Sequence, residues 1–154
     1  MMLVLCRHGE TDLNVQHRLQ GWLETSLNNK GVAQSKMVAE RLKAENFDRV
    51  FCSPQKRCVE TISEIMKFHK NQVELRPELM EIDVGKYTGM DAKEIEEKFP
   101  GDWIKRVDNK YDFVHEGGES YKIVDEKRVK PLLREFREKY SSREILVITH
   151  QGTA

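Results

Sequence analysis

Three short segments of this chain end in residues that can do chemistry on an anion. Arg7-His8-Gly9-Glu10-Thr11 follows one apolar run, Ser53-Pro54 with Arg57 follows a second, and Thr149-His150-Gln151-Gly152 follows a third. Arginines beside histidines repel a cation but suit a phosphoryl group. A guanidinium offers a planar fork of donors that matches phosphate geometry. A phosphomonoester carries about −1.5 to −2 charges near neutral pH, which two arginines and a protonated histidine would balance. One histidine can be a nucleophile: a neutral imidazole attacks phosphorus while its other nitrogen is held by a hydrogen bond that fixes the tautomer. A carboxyl group must then protonate the leaving oxygen and later take a proton from water. Glu10, Glu78, Glu81, Asp83 and Glu119 are candidates, and composition does not choose among them.

These segments act together only if the fold brings them together. Leu3 to Cys6, Arg49 to Cys52 and Glu144 to Thr149 read as short buried strands, with Val73 to Leu75 as another. Between them lie helical patterns. Asn28 is placed to cap a helix over about Val32 to Glu45, with Ala33, Met37, Val38 and Leu42 as its apolar stripe. Ser53 and Pro54 read as cap and first residue of a second helix, whose apolar face is Cys58, Ile62, Ile65 and Met66. Asp91 to Phe99 predicts a short helix stopped by Pro100. A longer one runs from the Gly117-Gly118 turn to about Tyr140, kinked at Pro131. Strands alternating with helices predict an α/β three-layer sandwich, with a mostly parallel central sheet flanked by helices. In such sheets the ligand crevice lies off the carboxyl ends of the strands, where the three segments sit.

The 154 residues suit a single domain. Lys+Arg and Asp+Glu number 26 each, so there is no broad excess of positive charge for a grip on nucleic acid or an anionic membrane. No apolar run approaches the ~20 residues of a membrane span, and the opening Met-Met-Leu-Val-Leu-Cys is too short for a signal core. The chain reads as soluble and cytoplasmic. Cys6, Cys52 and Cys58 are neither a disulfide framework nor a zinc pair and read as small buried residues. No His-x-x-x-His or His-Glu-x-x-His pairing is present, so no metal is expected. An exposed sheet edge would invite a homodimer.

Arg7-His8-Gly9-Glu10-Thr11 resembles the signature of the histidine phosphatase superfamily, the phosphoglycerate mutase-like enzymes. The likeness continues in order through Asn14, Arg18-Leu19-Gln20-Gly21, Leu27-Asn28 with Gly31, and Cys52-Ser53-Pro54 with Arg57 and Thr61. Leu79-Met80-Glu81 with Gly85 and Gly89, Gly117-Gly118-Glu119-Ser120 and Thr149-His150 complete it. The resemblance implies that His8 becomes phosphohistidine and that Arg7, Arg57 and His150 hold the phosphoryl oxygens. It implies Glu81 as proton donor and later base, with Asn14 and the backbone near Gln20-Gly21 lining the phosphate pocket. It implies no metal and no dissociable cofactor. Two departures stand out. Gln151 replaces the usual first glycine after the histidine, where it either only costs some backbone freedom or adds a polar contact near the phosphate. The chain also stops at Ala154, whereas family members normally continue with a helix and often another strand.

The leading expectation is a metal-independent phosphatase for a small phosphomonoester. A phosphoglycerate mutase-type transfer would use the same His8 but pass phosphate to a hydroxyl. The Arg18-x-Gln20-Gly21 run favours the phosphatase branch, and Gly21-Trp22 slightly favours the mutase. A non-catalytic phosphate-binding module is the alternative of another class, and such a module usually loses the nucleophile or an arginine. Trp22 and Trp103 read as packing residues, Phe113 and His115 as specificity candidates, His17 and His69 as surface residues.

Overall fold

A computed structural model describes residues 1–154. Four strands form one sheet: β1 (Met2–Arg7), β2 (Arg49–Cys52), β3 (Val73–Leu75) and β4 (Glu144–Thr149). Their order is β1-β4-β2-β3, and every pairing is parallel. The sheet residues alternate between two apolar layers, as a parallel sheet covered on both faces requires. On one face Val50, Cys52, Leu146 and Ile148 pack with Cys58, Ile62, Ile65 and Leu42. On the other, Phe51, Ile145 and Val147 pack with Leu132 and Phe136, and the Phe51 and Phe136 rings stack at 4.5 Å. The expected three-layer sandwich is therefore the fold. No helix is long and apolar enough to cross a membrane.

The helices are α1 (Asp12–Val15), α2 (Asn29–Leu42), α3 (Lys56–Ile65), α4 (Ala92–Lys98), α5 (Asp102–Asp108), α6 (Tyr121–Val124) and α7 (Lys130–Lys139). Asn28 caps α2 as expected, accepting from the Gly31 N–H. The stripe expected on α2 holds at Leu42, which is buried, and at Val38, which packs against the core, and fails at Ala33 and Met37, which are exposed. The buried face of α2 is Gly31, Ser35, Ala39 and Leu42, while Met37 is 72% exposed. Helix α2 lies against α3, and small residues let two helices come close. The start of α2 also meets the loop after β1 backbone to backbone: a Cβ on Gly9 would lie 2.4 Å from the Gly31 carbonyl oxygen. Helix α3 begins at Lys56, two residues later than Pro54 implied, with Gln55 at the cap position; the Ser53 hydroxyl accepts from the Gln55 N–H at 3.4 Å and also lies 2.8 Å from His150 Nε2. The kink expected at Pro131 takes the form of a wider π-type segment, Asp125–Val129, joining α6 to α7 just ahead of it. Proline lacks the N–H that would continue a regular ladder there. Helices α1 and α5 were not expected, and neither buries a residue.

Candidate active site

The carboxyl ends of β1, β2 and β4 meet at one rim. The first and last are tied there by the His8 N–H, which donates to the Thr149 carbonyl at 3.1 Å. Above the rim lies a cavity of about 220 Å³ whose wall includes Arg7, His8, Asn14, Gln20, Gly21, Glu81 and Gln151. Seven of the nine residues predicted for the site thus share one cavity.

His8 is 6% exposed. Its Nδ1 donates to the Gly9 carbonyl at 2.7 Å, which fixes the tautomer and leaves Nε2 without a protein partner. Burial pulls its pKa down to about 4 against the opposing effect of that bond, and the charges of Arg57 and Arg7 push the same way. The ring is therefore neutral at ordinary pH. Arg7, beside it, is exposed and has no carboxylate partner. Asn14 and Gln20 are held by their side-chain oxygens, each 3.0 Å from the Thr11 hydroxyl. That leaves their amide nitrogens for an incoming oxygen.

The five carboxyl candidates separate cleanly. Glu10 accepts from Asn28 and Lys30. Glu78 is paired with Arg76. Asp83 accepts from the Gly85 N–H. Glu119 accepts from Arg128 at 2.8 Å and from the Asp83 N–H at 2.9 Å. Only Glu81 enters the cavity wall. Its Oε1 accepts from the N–H groups of Ile82 (2.9 Å) and Gly152 (3.1 Å). Burial raises its pKa, and those bonds and the charges of Arg57 and Arg7 oppose the rise without cancelling it. The backbone of Glu81 is held from both sides. Its N–H donates to the Gln55 side chain at 2.8 Å. Its carbonyl accepts from the Trp22 indole at 2.9 Å and from Arg128 at 3.3 Å. Trp22 thus positions the acid's backbone rather than lining the cavity.

Arg57 and His150 differ from expectation. Both are fully buried beneath the cavity and neither forms part of its wall. The Arg57 guanidinium donates to the carbonyls of Leu23 (2.9 Å) and Gly21 (3.0 Å), so it fastens the loop that carries Gln20. The His150 Nε2 lies 2.8 Å from the Ser53 hydroxyl, and its ring centroid is 5.1 Å from that of His8. Burial pulls its pKa to about 2, with the charges of Arg57, His8, Arg128 and Arg7 acting in the same direction. The protonated histidine expected from the sequence is therefore neutral. Cys52 and Cys58 are small buried residues as expected, while Cys6 is half-buried; burial pushes Cys58 up to about 12 and raises Cys52 and Cys6.

Sequence reasoning missed Arg106, Lys110 and Tyr121, which complete the wall opposite the strands. The i, i+4 spacing of the two cations was the available signal. Arg18 also faces the cavity, but its charge is met by Glu94, which accepts two bonds at 2.7 and 2.9 Å. His115, expected to border a substrate, is fully buried and reaches the cavity only through Arg106.

The model of the histidine phosphatase superfamily (branch 1) matches residues 3–154. Phosphoserine phosphatase 1 of Hydrogenobacter thermophilus is 34% identical over 96% of this chain, which spans 70% of that relative. The metal-independent phosphoserine phosphatase of Arabidopsis thaliana is 34% identical over 97% of this chain, which spans 64% of it. The solved alpha-ribazole phosphatase of Shigella flexneri superposes with a TM-score of 0.92 at 25% identity, covering 99% of this chain and 75% of that one. A mycobacterial glucosyl-3-phosphoglycerate phosphatase solved with VO3 gives 0.88 at 27% identity, covering 98% and 75%. With the family match running from the first strand through the last, this chain belongs to the histidine phosphatase superfamily.

Proposed function

We propose that the chain is a phosphatase that hydrolyses a small phosphomonoester through phosphohistidine on His8, without a metal. The observation that carries this is the pairing of two opposed groups across one cavity. His8 is kept neutral with Nε2 free, and Glu81 is kept protonated to higher pH than an ordinary carboxyl.

In the first step the Nε2 lone pair attacks phosphorus and the ester P–O bond breaks. Glu81 gives its proton to the leaving oxygen. Arg7 and the amide nitrogens of Asn14 and Gln20 meet the oxygens of the transferring group. Arg57 adds positive charge from below, and His150 holds the floor. In the second step Glu81, now a carboxylate, takes a proton from water, whose oxygen attacks phosphorus. The P–N bond breaks, its electron pair returns to Nε2 and inorganic phosphate leaves. Catalysis of this kind rests on positioning and electrostatic stabilisation of the transferring group. The names of the relatives place their substrates among small phosphorylated metabolites, and we place this chain's substrate in the same class.

The test is turnover of p-nitrophenyl phosphate in EDTA, with rapid acid quench and with alkaline quench after a ³²P-labelled ester. Label that is acid-labile, alkali-stable and absent from His8→Ala supports the reading. Phosphate moved to a second hydroxyl rather than released would make the protein a mutase. No turnover of any ester by folded wild type would make it a binding module.

A further inference from the structure

Gln55 is a polar side chain with no access to solvent and no part in the chemistry above. It stands at the cap position of α3, yet its side chain makes no capping bond. The Lys56 N–H donates instead to the Glu24 carboxylate at 3.0 Å. That leaves the Gln55 amide free to turn inward. A buried amide is tolerated where both of its ends are bonded, and here the two ends take hold of two different parts of the site. Oε1 accepts from the Glu81 N–H at 2.8 Å, and Nε2 donates to the Gly21 carbonyl at 2.9 Å. One partner is a donor and the other an acceptor, so the partners fix which end of the amide is oxygen. A single side chain thus spans the backbone of the acid and the loop that presents Gln20.

The two bonds are not equivalent. The Gly21 carbonyl also accepts from Arg57 at 3.0 Å, so it keeps a partner when the amide is lost. The Glu81 N–H has Gln55 as its single acceptor. Across the same peptide, the Met80 carbonyl accepts from Arg128 at 2.8 Å and from the Thr153 hydroxyl at 2.7 Å. The N–H and C=O of a trans peptide point opposite ways, so this peptide is clamped from two edges and Gln55 supplies one of them. Without it a donor is left unbonded, and the segment is held from the α7 side only. The clamp is also referenced to the rim: the Gln55 N–H donates to the Ser53 hydroxyl at 3.4 Å, and that hydroxyl lies 2.8 Å from His150 Nε2.

We infer that Gln55 is a positioning residue for the reaction, fixing the Glu81 carboxyl at the distance from the phosphoryl pocket at which it can protonate the leaving oxygen. This rests on the phosphatase reading above.

The experiment compares phenyl phosphate with p-nitrophenyl phosphate, which differ by one nitro group. Nitrophenolate leaves without a proton, whereas phenolate needs one. The ratio of the two kcat/KM values, p-nitrophenyl over phenyl, therefore reads proton delivery by Glu81 and is independent of the fraction of enzyme that is active. Gln55→Met keeps the length and loses both bonds. It should raise that ratio by about tenfold or more, while the inhibition constant of inorganic phosphate stays within about threefold because Arg57 still holds Gly21. Gln55→Asn, polar but one methylene too short to reach both partners, should move the ratio the same way. Equal losses on both esters, with the ratio unchanged, would overturn the positioning role. A weakened grip on inorganic phosphate with an unchanged ratio would also overturn it, by making Gln55 a holder of the loop and not of the acid. Loss of the fold in both variants would overturn it too, since the residue would then serve the fold alone. A wild type that hydrolyses p-nitrophenyl phosphate but not phenyl phosphate would deny that any acid is in place to be positioned. Absence of turnover of both esters by folded wild type would instead count against the phosphatase reading itself.

Discussion

Gly152→Ala separates the placement of the acid from the stability of the fold. A Cβ at that position would lie 2.3 Å from Glu81 Oε1 and 3.1 Å from Ile82 Cγ2. Ordinary van der Waals contact begins near 3.4 Å, so the carboxyl must retreat by about 1 Å. A misplacement of that size can cost about 10²-fold in rate. The displaced atom is the tip of a flexible side chain, and Gly152 has no left-handed backbone that alanine would strain. The folding cost is therefore small, on the order of one hydrogen bond, about 1 kcal/mol. That corresponds to a Tm lower by roughly 2–4 °C for a chain of this size. Moving Glu81 also weakens the bonds from Ile82 and Gly152, both of which hold its pKa down. The basic limb of the rate profile should then shift to higher pH. The assay is kcat by phosphate release from an alkyl phosphomonoester across pH, beside a thermal melt. A kcat within threefold of wild type would refute the placement of Glu81 as the acid. A Tm drop of more than about 10 °C would refute the claim that Gly152 acts on the carboxyl rather than on the core.

Three further outcomes are expected. Glu81→Gln should lose about 10²–10⁴-fold on an alkyl phosphomonoester; p-nitrophenolate needs no proton to leave, so that ester should give a burst of nitrophenolate equal to the enzyme present, and absence of a burst would contradict the two roles given to Glu81. The wild-type rate should rise as pH climbs through about 4, where His8 loses its proton, and fall as pH passes the raised pKa of Glu81; a flat profile would contradict both assignments. His8 and His150 have folded pKa values of about 4 and about 2, below the usual 6.5, so below pH 6.5 the unfolded chain binds more protons; the unfolding free energy from urea titrations should fall as pH drops from 6.5 toward 4, by about 1.4 kcal/mol per pH unit for each imidazole, and less steeply in His150→Gln.

The strands were legible because each is a short apolar burst, and in a parallel sheet covered on both faces such bursts mark the segments whose ends carry chemistry. That is how Arg7, His8 and His150 could be placed on one rim from residues alone. The acid could not be found that way. Glu10, Glu78, Asp83, Glu119 and Glu81 are chemically alike, and only tertiary partners set them apart; the family likeness named Glu81, and the fold supplies the reason. The α2 stripe misled because hydropathy was read where size decides, so Met37 faces solvent and Ser35 is buried. Helix α5 went unseen because it buries no residue and so has no apolar stripe, yet it brings Arg106 to the cavity. The depth of Arg57 and His150 was hidden for a further reason: a motif fixes which residues are near a ligand, not which of them face it.

The strand that fills the middle of the sheet is the last of the four to be synthesised. Until Thr149 has left the ribosome, β1 and β2 face each other across a gap, and the nucleophile's own N–H has no partner. At roughly 5–20 residues per second that interval lasts about 5 to 20 seconds. Throughout it, two unpaired apolar strand margins are open to other chains. Yield in the cell is therefore expected to depend on chaperone capacity more than the finished molecule's stability alone would indicate, and activity should emerge in a single late event rather than accumulate with chain length.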